Sequence, residues 1–337
     1  MNAVPPVVRS GRLRRATGAS GRRLAMSVVA VTLVMVGCVT PPPSPSPSAT
    51  PIGPSPSVEA RSPEPPAANA LEDLVMLVGK ELFLGDADGR FKPLAGPSEP
   101  VDAVSAAGGT IVVQTAGPTF HAATVPANAA GPLAWRAIEI DPSIAARPLS
   151  LPALSPDGTR LALLAAVFGN AEPFEVVIAD LSTDATSVLP VDREPNGPPV
   201  WLNDSELLLE IIASDGREPF VRLDPASGAL TPTKARGVGP AVAGDGSIVA
   251  VLANGSIVTL PVEDWLGGAE LGTATTVGAA TNAQRLAVDA VGRRVAFDIT
   301  DDDGDPIALS IYVRDEGGWS LSGSIDRDPP AWFGWLR

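Results

Sequence analysis

The sequence of 337 residues contains one cysteine, Cys38, and one histidine, His121. A lone cysteine cannot form an intramolecular disulfide, so no disulfide framework holds the fold. A single histidine excludes a histidine-rich metal site and leaves little scope for Ser-His-Asp or Cys-His catalysis. No P-loop, G-x-S-x-G turn or long helical pattern occurs either. We therefore predict no catalytic residues and place His121 in a strand or a loop.

Charged residues are scarce, at 18% of the chain, whereas glycine (33) and proline (36) together make up about a fifth. This composition favours short strands and many turns over long helices. The charge is also uneven, because residues 1–37 contain six arginines and no acidic residue. From Cys38 onward, 18 basic residues face 38 acidic ones, a net charge of −20. A domain this acidic repels phosphate backbones, so we predict no nucleic-acid partner.

An uncharged apolar run, Leu24–Gly37, follows the arginines and directly precedes Cys38. Its 14 residues are fewer than the roughly 18 to 20 of a membrane-spanning helix but fit the apolar region of a secretory signal. The stretch MVGC, Met35–Cys38, resembles the bacterial lipoprotein signal, in which the cysteine is acylated and becomes amino-terminal. We predict that residues 1–37 are a lipoprotein-type signal peptide. Lipidation of Cys38 would then hold the protein on the extracytoplasmic side of the cell membrane.

Two alternatives remain open for this segment: an ordinary cleaved signal with an unmodified cysteine, and an uncleaved amino-terminal anchor. The run Arg22–Leu24 is also compatible with twin-arginine export. Residues 39–70 are rich in proline, serine and alanine and show no apolar periodicity. We therefore predict that residues 38–70 are a lipidated cysteine followed by a disordered linker. In extended polyproline II conformation such a linker reaches roughly 100 Å.

From Leu71 onward one pattern recurs: an apolar strand, a tight turn usually carrying glycine or aspartate, and a second apolar strand. The clearest copy is PALSPDGTRLALL, Pro152–Leu164. Equivalent positions of the copies lie 41 to 50 residues apart, at Ser105, Ser155, Leu202, Ala243 and Asp289. A four-stranded propeller blade needs about 40 to 50 residues, so the spacing indicates a β-propeller.

The two ends of this region complement each other. The segment Pro329–Arg337, PPAWFGWLR, matches the opening strand of a unit, and Leu74–Leu94 supplies the remaining strands of a unit that lacks its opening strand. Five continuous blades and one split blade make six. We predict an all-β, six-bladed β-propeller over residues 71–337, with the amino- and carboxy-terminal strands sharing one blade. Sharing a blade closes the ring and leaves no open edge between the first and last blades.

The motif SPDG at Ser155–Gly158, followed by a hydrophobic strand, is similar to the TolB-type, WD-like propeller repeat. The resemblance covers Leu71–Arg337 and implies an exported binding module without catalytic chemistry. The amino-terminal α/β domain of TolB has no counterpart in this sequence, where the proline-rich linker takes its place. We predict a binding module of the cell envelope whose partner is an envelope protein, a peptide or a glycan. A propeller hydrolase or lyase with a channel-bound metal is the alternative, and a structural spacer is a third possibility.

Loops between the second and third strands of each blade share one face, on which we place the binding site. The longer ones are Ala165–Phe174, Ile212–Phe220 and Thr300–Ala308. The candidate binding residues on them are Asp215, Arg217, Asp301, Asp303 and Asp305.

The three aspartates of the last loop offer hard oxygen ligands to Ca²⁺, but their spacing fails the EF-hand pattern. We therefore predict a solvated connection with no metal site and no cofactor, with bound calcium as the alternative. Among the six tryptophans, Trp201 and Trp332 share one register on opening strands. We predict that both lie on the channel side and pack between blades.

Overall fold

The structure, a computed structural model, describes residues 70–337 except 127–131, 146, 150, 166–173, 194, 196, 212–219, 236–237, 253–254, 269–273, 280–282, 284, 302–304 and 327. The predicted signal peptide, Cys38 and the predicted linker as far as residue 69 lie outside the described residues. All described residues belong to one compact unit.

The described part of the chain contains 24 strands and two short helices. The first strands are β1 (Leu74–Val78), β2 (Glu81–Gly85), β3 (Phe91–Leu94), β4 (Val101–Ala107), β5 (Thr110–Thr115), β6 (Phe120–Thr124), β7 (Arg136–Ala137), β8 (Ala153–Leu154), β9 (Arg160–Ala165), β10 (Phe174–Asp180), β11 (Thr186–Val191) and β12 (Val200–Asn203). The later strands are β13 (Glu206–Leu209), β14 (Val221–Leu223), β15 (Leu230–Pro232), β16 (Val238–Val242), β17 (Ser247–Val251), β18 (Ser256–Pro261), β19 (Thr275–Ala279), β20 (Leu286–Val288), β21 (Arg294–Thr300), β22 (Pro306–Asp315), β23 (Gly318–Ile325) and β24 (Trp332–Trp335). The helices are α1 (Pro142–Ala145) and α2 (Val262–Leu266).

These strands form six four-stranded antiparallel sheets, which are the blades of the propeller. Blade 1 has the strand order β24-β1-β2-β3, and blade 2 contains β4 to β7. Blades 3 to 6 contain β8 to β11, β12 to β15, β16 to β19 and β20 to β23. The recurring hairpin of the sequence forms the two innermost strands of blades 2 to 6. The predicted six-bladed propeller is confirmed.

Blade 1 is built from both ends of the propeller, as predicted. Strand β24 pairs antiparallel with β1, from Leu77 opposite Trp332 to Leu74 opposite Trp335. Backbone hydrogen bonds extend the pairing, because the Leu336 amide donates to the Asp73 carbonyl over 2.9 Å. The last strand of the chain therefore completes the sheet that the first strand begins.

The buried apolar side chains form six clusters, one between each pair of neighbouring blades. Strand β1 shows how one strand serves two clusters. Leu74 and Met76 face blade 6, whereas Val75 and Leu77 face blade 2. Successive strand residues point to opposite faces, so a strand buried on both faces reads as a continuous apolar run.

The turns of the inner hairpins also connect neighbouring blades. The Gly244 amide in blade 5 donates to the Ala290 carbonyl in blade 6 over 3.0 Å. In blade 2, Gly108 has a φ of +55°, and a Cβ there would lie 2.2 Å from the carbonyl carbon of Asp157 in blade 3. Glycine is therefore required at position 108 both for its backbone conformation and for the close approach of the two turns.

The SPDG turn between β8 and β9 is held by side-chain hydrogen bonds. The Ser155 hydroxyl accepts a hydrogen bond from the Arg160 amide over 2.9 Å and donates one to Asp157 Oδ1 over 2.5 Å. Asp157 Oδ1 also accepts from the Thr159 amide over 3.0 Å. Gly158 follows with a φ of +70°, which glycine adopts at little cost. The motif thus encodes one specific tight turn.

Helix α2 is the clearest departure from the sequence-based expectation, which included no helix. It lies between the third and fourth strands of blade 5 and contributes Trp265, whose ring centroid is 5.0 Å from that of Phe220 in the loop before β14. A helix of five residues is too short to show apolar periodicity, which explains the omission. Within the described part of the chain, no helix combines the length and the apolar character needed to cross a bilayer.

Candidate functional site

The inner strands of all six blades surround a cavity of about 630 Å³. Its wall is made by residues of β4, β8, β12, β16, β20 and β24. This volume lies within the roughly 300–1,000 Å³ typical of ligand pockets. The central channel is therefore the candidate binding site in the described part of the chain.

Prolines form a recurring part of the channel wall. Pro152 and Pro199 directly precede β8 and β12, Pro240 lies within β16 where its pairing with β17 is irregular, and all three line the cavity. An inner strand is an edge strand of its blade, and proline is suited to such an edge because it has no backbone N–H to leave unpaired. Recognition of a ligand at these positions therefore depends on neighbouring side chains.

Trp201 and Trp332 both line the cavity, as their shared register predicted. Trp201 is buried, and its indole Nε1 donates a hydrogen bond over 3.0 Å to the Ala153 carbonyl of the preceding blade. Trp332 is partly exposed and packs against the cluster between blades 1 and 2. The predicted packing between blades is confirmed for both, and Trp332 presents the more accessible aromatic surface.

The wall also carries three charged residues, Glu210, Arg285 and Arg337. The guanidinium carbon of Arg285 lies 4.2 Å from the centre of the Trp332 ring, a cation–π contact. Arg285 Nη1 lies 3.3 Å from Asp298 Oδ2, and the backbone amide of Arg285 donates to Asp298 Oδ1 over 2.7 Å. Asp298 is 1% exposed. The buried carboxylate and the ring together fix the position of the guanidinium.

Arg285 can still donate hydrogen bonds to a ligand despite these contacts. Its side chain is one-third exposed, and a guanidinium has five N–H donors, which Asp298 does not exhaust. Arg337 is anchored differently, with Nη1 3.4 Å from Asp73 Oδ1 and Nη2 donating to the Val125 carbonyl over 3.1 Å. The Arg285–Trp332 pair therefore offers an aromatic edge and directed donors at the channel wall.

The loop residues predicted from the sequence are only partly described. Asp215, Arg217 and Asp303 lie outside the described residues, so their predicted roles stay predictions. Asp301 and Asp305 lie in the connection between β21 and β22, where the Asp305 amide donates to Asp301 Oδ1 over 2.9 Å. The described residues contain no group of three or more His, Cys, Asp or Glu side chains placed to hold a metal ion.

His121 lies in strand β6, as predicted. Its neighbours across the sheet are Val113 and Ala137. Its Nε2 lies 3.8 Å from Glu99 Oε2, and Glu99 also accepts a hydrogen bond from the Thr115 hydroxyl over 2.9 Å.

The sequence pattern predicts binding on the loops, and no motif in it points to Arg285. A signal for it does exist. Four residues before the equivalent positions Ser105, Ser155, Leu202, Ala243 and Asp289, the sequence has Val101, Leu151, Pro198, Gly239 and Arg285. Arg285 is the one charged residue among these five positions, which marks blade 6 as the blade that differs from the others.

Comparison with known proteins gives similarity at the level of structure. No family model matches the sequence, and no curated protein matches it. The structure is similar to TolB from Acinetobacter baumannii, with a TM-score of 0.56 and 14% identity over 78% of this chain and 65% of TolB. This chain therefore spans less than two thirds of the length of that protein.

The chain is a six-bladed β-propeller similar to TolB.

A second similar structure supports the same fold. A protein described as a TolB from Agrobacterium tumefaciens has a TM-score of 0.50 and 14% identity over 77% of this chain and 92% of that protein. An oligogalacturonate lyase in complex with manganese has a TM-score of 0.48 and 11% identity over 77% of this chain and 75% of the lyase.

Proposed function

We propose that this TolB-like propeller is a lipid-anchored, extracytoplasmic binding module of the cell envelope. Its ligand, an envelope protein, a peptide or a glycan, enters the central channel and contacts the Arg285–Trp332 pair. The observation that carries the proposal is a ligand-sized cavity of about 630 Å³ whose wall holds this pair in a fixed geometry. A closed ring of six blades holds the site rigid, which lowers the entropic cost of binding.

The location rests on the sequence of residues 1–70. A basic segment, an apolar run of 14 residues and a glycine before Cys38 support export and lipidation. Two or three acyl chains anchor a protein firmly, whereas one acyl chain alone anchors it only marginally. The proline-rich residues after Cys38 then separate the propeller from the lipid surface.

Replacing Cys38 tests the location. We expect the wild-type protein to be recovered with the membrane fraction and to carry diacylglyceryl-modified Cys38 at its mature amino terminus. The Cys38→Ala variant should lack the diacylglyceryl group, because the sequence has no second cysteine to accept it. Cell fractionation and mass spectrometry of the mature amino terminus provide the two readouts. Cleavage at another position, or an unmodified Cys38 in membrane-bound protein, would refute the anchor.

Variants of the channel wall test the binding role. We expect Arg285→Ala and Trp332→Ala to reduce specific capture of the ligand from solubilised cell envelopes by about tenfold or more, as for hot-spot residues. Arg136→Ala is the matched control, since Arg136 pairs with Asp184 outside the channel wall and is similarly charged. Equal capture by all three variants would contradict the channel as the binding site.

A further inference from the structure

The outermost strands of the six blades differ in how their free edges are protected. Proline occurs in β3, β11 and β15, and β3 also has a lysine. Two of the outermost strands are very short, since β7 has two residues and β15 has three. Strand β19 has five residues and contains Gly278. Short strands, proline and lysine are the usual devices that stop a strand edge from pairing with another chain.

Strand β23 of blade 6 has none of these devices. It runs for eight residues, GWSLSGSI, without proline or charge, and pairs with the ten-residue strand β22 from Gly318 to Ile325 with one bulge at Ser322. No described strand pairs with its outer edge. Leu321 in the middle of β23 is 57% exposed, the second most exposed of the large apolar side chains described. An edge of this kind is a template for an added strand.

Acidic residues bracket this edge. The exposed carboxylates at its two ends are Asp315, Glu316, Asp326 and Asp328. Arg314 and Arg327 each offset one charge, which leaves both ends net acidic. In an antiparallel pair of two copies, each acidic end would meet the acidic end of the other copy, and like charges there are unfavourable. A second copy of this chain is therefore a poor occupant.

The linker of this chain is also a poor occupant. Residues 39–70 contain prolines at short intervals, and proline cannot donate a ladder hydrogen bond. The complementary occupant is an extended segment of another protein that is uncharged in its centre and basic at its ends. Main-chain hydrogen bonds would supply the affinity, and the charged ends would fix the register and favour encounter.

We propose that the β23 edge is a second interaction surface, which accepts a basic-ended peptide segment of a partner protein as a fifth strand of blade 6. This surface is on the outside of the ring and does not depend on the channel site or on the proposed function.

A synthetic peptide tests the proposal on the purified full chain. The probe has ten residues, with two lysines at each end and alternating threonine and valine between them, and its matched partner has glutamates in place of the lysines. We expect the lysine peptide to slow hydrogen exchange of the amides of residues 318–325. We also expect it to bind about tenfold more tightly than the glutamate peptide, an advantage that falls with added salt.

Two charge-matched variants make the test specific. Leu321→Lys adds a positive charge at the edge and should weaken binding of the lysine peptide by about tenfold. Val188→Lys adds the same charge on the exposed face of β11 in blade 3 and should leave binding within about twofold. Unchanged exchange over residues 318–325, or equal weakening by both variants, would overturn the proposal. A dimer in sedimentation that Leu321→Lys dissociates would also overturn it, because a second copy would then occupy the edge.

Discussion

Removing residues 329–337 is expected to abolish cooperative folding of the propeller. The deletion takes away β24 and exposes the inner edge of β1, together with the clusters on both faces of blade 1. Trp335 and Leu336 are buried in these clusters, at 4% and 0% exposure. Truncating one large buried side chain lowers the free energy of unfolding by about 3–5 kcal/mol. The free energy of unfolding of a whole domain is only about 5–15 kcal/mol. Loss of the thermal transition and aggregation on purification are the expected readouts.

A rearranged chain serves as the control for the deletion. Because β24 and β1 are antiparallel neighbours, residues 329–337 can be moved ahead of Leu71 through a short glycine-serine hairpin. The moved segment then precedes β1 in the sequence and can form the same antiparallel pair with it. We expect this chain to recover most of the melting temperature of the wild type. A truncated chain that melts like the wild type would show that β24 does not close the ring.

Replacing the buried Asp289 is expected to have the second-largest effect. Asp289 is 1% exposed and accepts hydrogen bonds from the amides of Arg293 and Arg294, over 2.7 and 3.0 Å, and from Arg294 Nε over 2.8 Å. The guanidinium of Arg294 also lies 4.4 Å from the centre of the Trp335 ring in blade 1. Asp289→Ala removes the carboxylate that pairs with Arg294 at the junction of blades 6 and 1, and leaves the guanidinium with the carbonyl oxygens of Glu72 and Arg337 as acceptors. Breaking a buried ion pair in this way costs about 3–5 kcal/mol, measurable by urea unfolding.

The matched control for Asp289 lies in the inner hairpin of blade 5. Asp245 is exposed and accepts a hydrogen bond from the Ser247 amide over 2.9 Å within its turn. Asp245→Ala should cost about 1 kcal/mol, as expected for a turn hydrogen bond at the surface. Equal destabilisation by the two variants would show that neither the burial of Asp289 nor its contact with Arg294 contributes to the stability of the fold.

The sequence predicts the inner half of every blade well and the rest less well. The hairpin at Pro152–Leu164 and its copies combine a turn signal with strands buried on both faces, so both local chemistry and packing produce the same pattern. Strand β7 has two residues and α2 has five, which is too short for any periodicity to be seen. Their positions follow from packing against neighbouring blades, as Trp265 against Phe220 shows.

The channel site was harder to predict because its parts are distant in the sequence. Arg285 and Trp332 meet only because blade 6 and the closing strand of blade 1 are neighbours in the ring. Trp332 was identified from its register, whereas Arg285 has no motif of its own. Of the predicted loop residues, Asp301 and Asp305 lie in one connection, and the others lie outside the described residues.

Photocrosslinking in intact cells tests the binding function most directly. Benzoylphenylalanine in place of Trp332 puts the crosslinker on the channel wall of the full-length, anchored protein. The same group is placed at Val291, which is 59% exposed in the turn after β20. A crosslink from position 291 reports contacts at the end of β20 that lies away from Arg285. We expect one specific adduct from position 332 that position 291 does not give. No adduct from position 332, or the same adducts from both positions, would contradict binding in the channel.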